Sequence, residues 1–463
     1  MLCVIKKRGL QAPLNHHYTA KVIFFAFMCK RFCGFFCYVL RNVKVKLCVC
    51  CLFVVILWKN CNTVRLFIFN PDNDLALADG TAAYCPPPAA RVIGHDLATL
   101  PLWYAGTGDC VALPAAGHCA FAAEMAQLFE IATPLEYKML CGVDGCLPWG
   151  WSELAKRRLR SLGVGENMLP AGDFIASVRA LSNRRTAIGI AASLAAAGVD
   201  VPAPALYLTS PDDVARFINS VPRSAIKAPW SGSGKGIAWG IGHVEVPVEN
   251  FYRGVIRRQG GVVCERYLDK VIDFAMEFSA ADGVVSFAGY SLFTCDGAAY
   301  TGNILAPDAQ IEEYVAGFVG AGALHSARAA LVETLSRLLA QCGYSGFLGI
   351  DMFVYRTPSG YRLNPCVELN LRMNMGAVSR IFCDRYMAQG ALGRYFVSNF
   401  RNDGEALALH EKMVAAHPAK VRGGKLVSGY LNLSPVTPAT RYIAYALVEE
   451  DAATVASLYG PIA

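Results

Sequence analysis

From Val64 onward, short apolar runs alternate with stretches of helical periodicity. VRLFIFN has the dense apolar character of a buried strand, and it runs into PDNDLALADGTAAYCPPP, a segment of turn-forming residues. The alternation continues to about residue 178 and predicts a small α/β unit. WSELAKRRLRSLGV (Trp151 to Val164) and NRRTAIGIAASLAAAG (Asn183 to Gly198) read as helices, with Ser182 expected to cap the second and Gly198 to end it. From Ala205 the pattern turns strand-rich: SAIKAPW, GIAWGIG, VVCERYL, DFAMEFSA, VVSFAGYSLFT, GFLGIDMFVY and YRLNPCVELN. One strong helix, Ala323 to Gly343, interrupts it. The pattern predicts an α+β body behind an α/β front. Residues 401–463 read as a closing strand–turn segment without a chemical signal.

The first 63 residues are of another kind. They hold ten Lys or Arg and no Asp or Glu, so the formal charge of +7 leaves 33 basic against 36 acidic groups, about −3, on the remaining 400 residues. That balance argues against nucleic acid as a partner. Eight of the 18 cysteines fall in the leader, and the other ten show no disulfide-like rhythm, which predicts free thiols in a reducing, cytoplasmic setting. The longest clean apolar run, Leu47 to Trp58, is twelve residues, short of the roughly 20 a spanning helix needs. Lys6, Lys7 and Arg8 are followed by polar sequence, unlike a signal peptide. The leader is expected to be translated upstream sequence, with a weak membrane-associating leader as the alternative. With 463 residues, 54% apolar content and 17% charge, the chain can build two or three cored domains, which excludes a disordered or collagen-like protein.

AIKAPWSGSGKGIAWG is the first chemical signal. Pro229 and Gly236 occupy positions where a P-loop needs Gly and Ser/Thr, and no helix follows. What remains is a strand–loop–strand flap, Ser231, Gly232, Ser233, Gly234, Lys235 and Gly236, whose backbone N–H groups can approach phosphate oxygens. Lys227 could reach the same phosphates, and Lys235 either touches them or points to water. Taken alone, the segment reads equally as a glycine hairpin with a solvated lysine.

GFLGIDMFVYRTPSGYRLNPCVELNLRMNMG is more informative. Thr357 to Gly360 reads as a turn between two strands. A regular register places Asp351 opposite Cys366, with Glu368 as its diagonal neighbour about 7–8 Å away and Asn370 on the same face. Two carboxylates and an amide suit Mg²⁺, which takes hard oxygen ligands and leaves room for phosphate. A bulge would shift this register, and a solvated polar face is the competing explanation.

Together, the glycine flap with its lysine, VVCERYL, Asp351 and the run Glu368-Leu369-Asn370-Leu371-Arg372 resemble the ATP-grasp superfamily, over about residues 180–380. The resemblance implies an ATP-grasp fold, two α+β subdomains clasping ATP behind a small α/β domain. The boundaries expected are 1–63 leader, 64–178 preceding domain, 179–264 small subdomain, 265–400 large subdomain and 401–463 closing segment. It implies that Lys227 and Arg184 (or Arg185) hold phosphates and that Ser231 to Gly236 form the flap. It further implies that Glu265, Arg266, Tyr267 and Leu268 read adenine, that Asp273 meets the ribose, and that Asp351, Glu368 and Asn370 bind Mg²⁺, or Mn²⁺ in its place. Arg372 and Lys227 would be the catalytic pair. Gly349 stands where some members carry another arginine, which leaves Arg372 to act alone.

The chemistry implied is activation of a small carboxylate as an acyl phosphate for attack by an amine, with no membrane or nucleic-acid partner and a homodimer admitted. A small-molecule kinase and a non-catalytic nucleotide-binding module are the alternatives; no protein-kinase motif is present. His325 reads as a capping or surface residue. Asp72, Asp74 and Asp79 cluster after the first strand, as a turn and helix cap or as a ligand site. Tyr300 and Asn303 are expected in a loop that either lines the substrate cleft or only connects.

Overall fold

The computed structural model describes residues 64–136, 143–232, 236–297, 299–449 and 454–459. The expectations for the leader 1–63 and for the flap residues Ser233, Gly234 and Lys235 lie outside the described residues.

The described strands form three sheets. The front sheet is parallel, in the order β3-β2-β1-β4, from β1 (Arg65–Ile68), β2 (Cys110–Leu113), β3 (Thr133–Glu136) and β4 (Gly145–Pro148). Its strands are short, and Leu66, Val111, Ala112 and Leu113 are almost wholly buried, as a sheet covered on both faces requires. The helix Asn73–Asp79 begins just beyond the C-terminal end of β1, the end at which open α/β sheets place ligand-binding loops.

A small antiparallel sheet, β5-β8-β6-β7, comprises β5 (Leu206–Leu208), β6 (Ser224–Lys227), β7 (Ile237–Gly240) and β8 (Val262–Arg266). Alternation along these strands divides their residues between two faces. Ile226, Val262 and Cys264 pack against Val214 and Ile218 of the helix Pro211–Ser220 and against Val248, Tyr252 and Val255 of Val246–Gln259. The opposite face is left to Ala225, Lys227, Ile237, Trp239 and Glu265.

The large sheet has nine strands, β13-β12-β9-β10-β11-β14-β17-β16-β15. They are β9 (Asp269–Ala281), β10 (Val284–Asp296), β11 (Ala299–Leu305), β12 (Gly346–Thr357), β13 (Gly360–Asn370), β14 (Leu392–Asn399), β15 (Lys420–Arg422), β16 (Lys425–Asn432) and β17 (Tyr442–Glu449). Leu348, Ile350, Met352 and Val354 of β12, with Phe274, Met276 and Phe278 of β9, join one core with Leu324, Leu331 and Leu335 of the helix Ala321–Ala340. Period-two alternation therefore sends Gly349 and Asp351 of β12, and Ala275 and Glu277 of β9, to the other face. The α+β body behind an α/β front is the architecture expected.

Several expectations need correction. Asp351 pairs directly with Glu368, not with Cys366, because the ladder shifts between Asp351 and Phe353, and Phe353 faces Asn364. Pro365, inside that irregularity, has no N–H to give to a ladder, which is why pairing breaks there. Tyr300 and Asn303 lie in β11 rather than in a loop. The second helix spans Arg185–Ala196 with Arg184 at its N-cap and no side-chain cap, while Asn183 Oδ1, one residue earlier, accepts from the Arg185 N–H at 2.9 Å. Ser182 instead ends the preceding helix, Gly172–Leu181, so a new helix cannot start from it. The closing segment supplies β15, β16, β17 and the helix Glu405–Ala416, extending the large sheet.

Candidate active site

A cavity of about 600 Å³ opens between the bare face of the small sheet and the polar face of the large one. Lys227, Glu265, Arg266, Tyr267 and Leu268 line one wall, and Asp273, Asp351 and Glu368 line the other. Arg184 and Ala187 line it as well, from the start of the helix Arg185–Ala196. The volume falls in the range of small-molecule sites. Residues expected to act together, though far apart in sequence, converge on this space.

Three cations of the site, Lys227, Arg184 and Lys270, are matched by carboxylates. Lys227, 7% exposed, forms an ion pair with Glu265 across the β6–β8 ladder. Arg184, 6% exposed, donates from Nη2 to Glu368 Oε2 at 2.9 Å and from Nη1 to Ser231 Oγ at 2.6 Å and to the Ala228 carbonyl at 2.8 Å. Lys270 pairs with Asp273 at 2.6 Å. Burial raises the Asp273 pKa, against the pull of Lys270.

The flap closes at its base. The Ala228 N–H donates to the Gly236 carbonyl at 2.8 Å. A Cβ on Gly236 would lie 2.2 Å from Ser231 Oγ, so only glycine fits beside Ser231. At the outer end of the cavity Trp239, 47% exposed, stands edge-on to Tyr267 with centroids 5.9 Å apart, and Arg223 lies 3.8 Å over the Tyr267 ring.

On the large sheet, Asp351 and Glu368 oppose each other across the β12–β13 ladder, and the Asn370 amide donates to Asp351 Oδ1 at 2.9 Å. Burial, then the charges of Glu368 and Glu277, pushes the Asp351 carboxyl up to about 7, with the Asn370 bond and Arg372 opposing. Among the described residues no group of three or more His, Cys, Asp or Glu side chains is placed to hold a metal. The donor set is two carboxylates and an amide, all hard oxygen, which fits a Mg²⁺ ion that completes its shell with water and phosphate. Glu368 would have to share or release Arg184 to take part.

The sequence reading missed Glu277. It is 1% exposed and sits beside Gly349, whose other neighbour in the sheet is Asn370. Ser291 Oγ donates to its Oε1 and Asn374 Nδ2 to its Oε2, each at 2.8 Å. Burial pushes its carboxyl up to about 7, against these two hydrogen bonds and Arg372. Asn374 in turn caps the helix Met375–Tyr386 through Ala377 N–H at 2.8 Å. Gly349 is therefore explained: a Cβ there would lie 2.6 Å from both Glu277 Oε2 and Asn374 Nδ2. The signal was present as an acid in the otherwise apolar DFAMEFSA.

Arg372 does not line the cavity; it leaves the end of β13 and meets the front sheet's helix. Nε and Nη2 donate to Asp74 Oδ1 and Oδ2 at 2.8 and 2.7 Å. Burial alone would lower the arginine's pKa, but Asp74, Glu368 and Asp351 hold it above its usual value. Asp72 pairs instead with Arg158 at 2.7 Å, and Asp79 accepts from Thr81. His325 pairs with Glu312 at 2.6 Å on the helix Ala321–Ala340 and has no part in the cleft. Asn303 donates to the Leu292 carbonyl at 3.5 Å inside the sheet. A second hollow of about 410 Å³, between His95, His118 and Thr437, contains none of the expected site residues.

No family model matches the chain, and neither does any curated protein. Among solved structures it is similar to N5-carboxyaminoimidazole synthetase from Staphylococcus aureus complexed with ADP, at 12% identity and TM-score 0.44, covering 84% of this chain and 94% of that one. It is also similar to the biotin carboxylase–β,γ-ATP complex from Campylobacter jejuni, at 11% identity and TM-score 0.46, covering 85% and 89%. Likenesses this distant assign neither activity nor substrate to this chain.

Proposed function

We propose that the protein is an ATP-grasp enzyme, an ATP- and Mg²⁺-dependent ligase that activates a small carboxylate as an acyl phosphate for attack by an amine or similar nucleophile. The observation that carries this reading is the pairing of Lys227 and Glu265 on one wall of the cleft with Asp351 and Glu368 on the other, bridged by Arg184. A cleft lined by buried cations on one side and hard oxygens on the other suits a metal-bound polyphosphate.

In this reading the hinge Glu265 to Leu268 and Trp239 hold the base, Asp273 the ribose, and Lys227, Arg184 and the flap the phosphates. Asp351, Glu368 and Asn370 would hold Mg²⁺ (Mn²⁺ shares the oxygen preference), which when bound supplies positive charge to the β- and γ-phosphate oxygens. A substrate carboxylate oxygen attacks the γ-phosphorus and ADP leaves; the nucleophile then attacks the acyl carbon and phosphate leaves. The chain's own residues position the reactants and stabilise charge on the transferring group. Such a site needs no Ser/His/Asp set.

The domain boundaries at 178, 264 and 400 belong to the same proposal, as does a cytoplasmic location. Buried free thiols at Cys146, Cys264, Cys366 and Cys383 support a reducing compartment. Among the described residues no single helix is long and apolar enough to cross a membrane. The substrates proposed are small molecules, not nucleic acid.

The test is a screen of amino acids and small peptides for stimulated ADP release with MgATP. Phosphate release that requires an amine supports ligation, a stable phosphorylated product supports a kinase, and nucleotide binding without turnover on any acceptor supports a binding module.

A further inference from the structure

We propose that Asp74 is a positioning residue of this active site: its carboxylate fixes the Arg372 guanidinium so that the arginine's free edge faces the transferring phosphoryl group. This rests on the ligase reading above.

Asp74 lies in the helix Asn73–Asp79, 298 residues before its partner. It grips Arg372 at two points, Nε to Oδ1 at 2.8 Å and Nη2 to Oδ2 at 2.7 Å, while Nη1 donates to the Met373 carbonyl at 3.1 Å. A guanidinium carries five N–H bonds in a rigid plane. Three are used, so one N–H remains on each Nη, and the plane in which both lie is set by the Asp74 carboxylate. That leaves a two-pronged donor of the kind that recognises phosphoryl and carboxylate oxygens.

The surroundings set this pair beside the base of the flap and the strand that carries the expected metal ligands. A Cβ on Gly232 would lie 3.5 Å from Asp74 Oδ2, so the base of the flap rests against the same carboxylate. Arg372 follows Glu368 and Asn370 on the run that leaves β13, and its N–H donates to the Asn370 carbonyl at 2.9 Å. Asp74 thus stands where the flap, the carboxylate face and the front sheet's helix meet. Its neighbours Asp72 and Asp79 have partners of their own away from Arg372. Holding the fold together is a weak reason for such a pair, since half-buried ion pairs of this kind contribute little net stability against an apolar replacement.

The role predicts a difference between two complexes. MgADP offers no phosphoryl group to the fork, whereas MgADP with aluminium fluoride mimics one in flight. Calorimetric titration of the full chain with each probe reads the difference directly. Asp74→Asn is expected to weaken MgADP by no more than about threefold and to reduce the extra tightening by aluminium fluoride at least about tenfold. Arg372→Lys, which keeps the charge but loses the fork, is expected to show the same selective loss. The double variant should lose no more than the larger single loss, because both changes break one device. Should Asp74→Asn fail to fold, Asp74→Glu, with a smaller loss in the same direction, and Arg372→Lys carry the comparison. Additive losses, an equal loss for both probes, or intact tightening in the variants would overturn the role. So would a wild type that binds MgADP but gains nothing from aluminium fluoride. A wild type that does not bind MgADP at all refutes the nucleotide reading instead.

Discussion

Arg184 and Glu368 are joined by a 2.9 Å ion pair across the cleft, and the other arm of the same guanidinium reaches Ser231 at the base of the flap. One side chain therefore ties the flap to the carboxylate face of the large sheet. It also leaves each partner occupied: an arginine expected to hold phosphate is spent on a carboxylate expected to hold metal.

The pair predicts that metal and nucleotide bind together. With the metal absent, a phosphate must compete with Glu368 for Arg184; a metal that takes Glu368 frees the arginine. Glu368→Gln removes the competing charge. It is expected to bind metal-free ADP about tenfold more tightly than the wild type does, a gain of about 1.4 kcal/mol, and to lose most of the response to Mg²⁺. Calorimetry with ADP in chelator and in excess Mg²⁺ checks both halves. Equal metal-free affinities would show that the pair does not hold the arginine back.

Trp239 gives an optical reading of the cleft. Nearly half exposed and edge-on to Tyr267, it should change its emission when a base enters beside it. Addition of ADP is expected to shift or quench tryptophan fluorescence, and Trp239→Phe to abolish most of that change. A signal that survives in the variant would place the base elsewhere.

Glu277 predicts a pH dependence. Its carboxyl is held near 7 in the fold against an ordinary value of 4.5, so the folded protein binds this proton more tightly than the unfolded chain does. The group's contribution to stability is therefore full below about pH 4.5, is lost as pH rises through about 7, and is flat above. The loss is on the order of 3 kcal/mol. Glu277→Gln keeps an amide for Ser291 and Asn374 and removes the ionisation. Denaturant melts between pH 5 and 8 should show a shallower decline for the variant than for the wild type. Parallel profiles would mean that Glu277 does not titrate in this range.

Gly349→Ala tests the packing behind that acid. The new Cβ would meet Glu277 Oε2 and Asn374 Nδ2 at 2.6 Å, in a part of the sheet with no slack. The expected cost is about 1–3 kcal/mol, as a lower melting temperature and weaker MgADP binding. An unchanged melting temperature would show that the two side chains give way freely.

Much of this was legible in the sequence because it is carried by local patterns. The alternation in GFLGIDMFVY sends Leu348, Ile350 and Met352 to the core and Asp351 to the cleft whatever the partner strand. What was illegible depends on pairings distant in sequence. The exact register of Asp351 turned on a ladder irregularity at Pro365, visible as a residue but not as a two-residue shift. β11, whose AYTGNIL mixes polar and apolar residues without clean alternation, is a strand only because β10 and β14 flank it. Asp74 read as part of a turn and helix cap or of a ligand site, and its pairing with Arg372 was not visible because that partner lies 298 residues away. Ser182 is a good cap by residue type, but it ends the preceding helix and the cap position of the next one falls to Arg184.

The most direct test of the central claim is equilibrium binding of MgADP to the wild type and to Lys227→Ala, a variant that removes the buried cation facing Glu265. The account predicts saturable one-to-one binding in the wild type and a loss of at least about tenfold in the variant, the usual scale for a charge-assisted contact. Absence of saturable binding in the wild type, or equal affinity in both proteins, would contradict it.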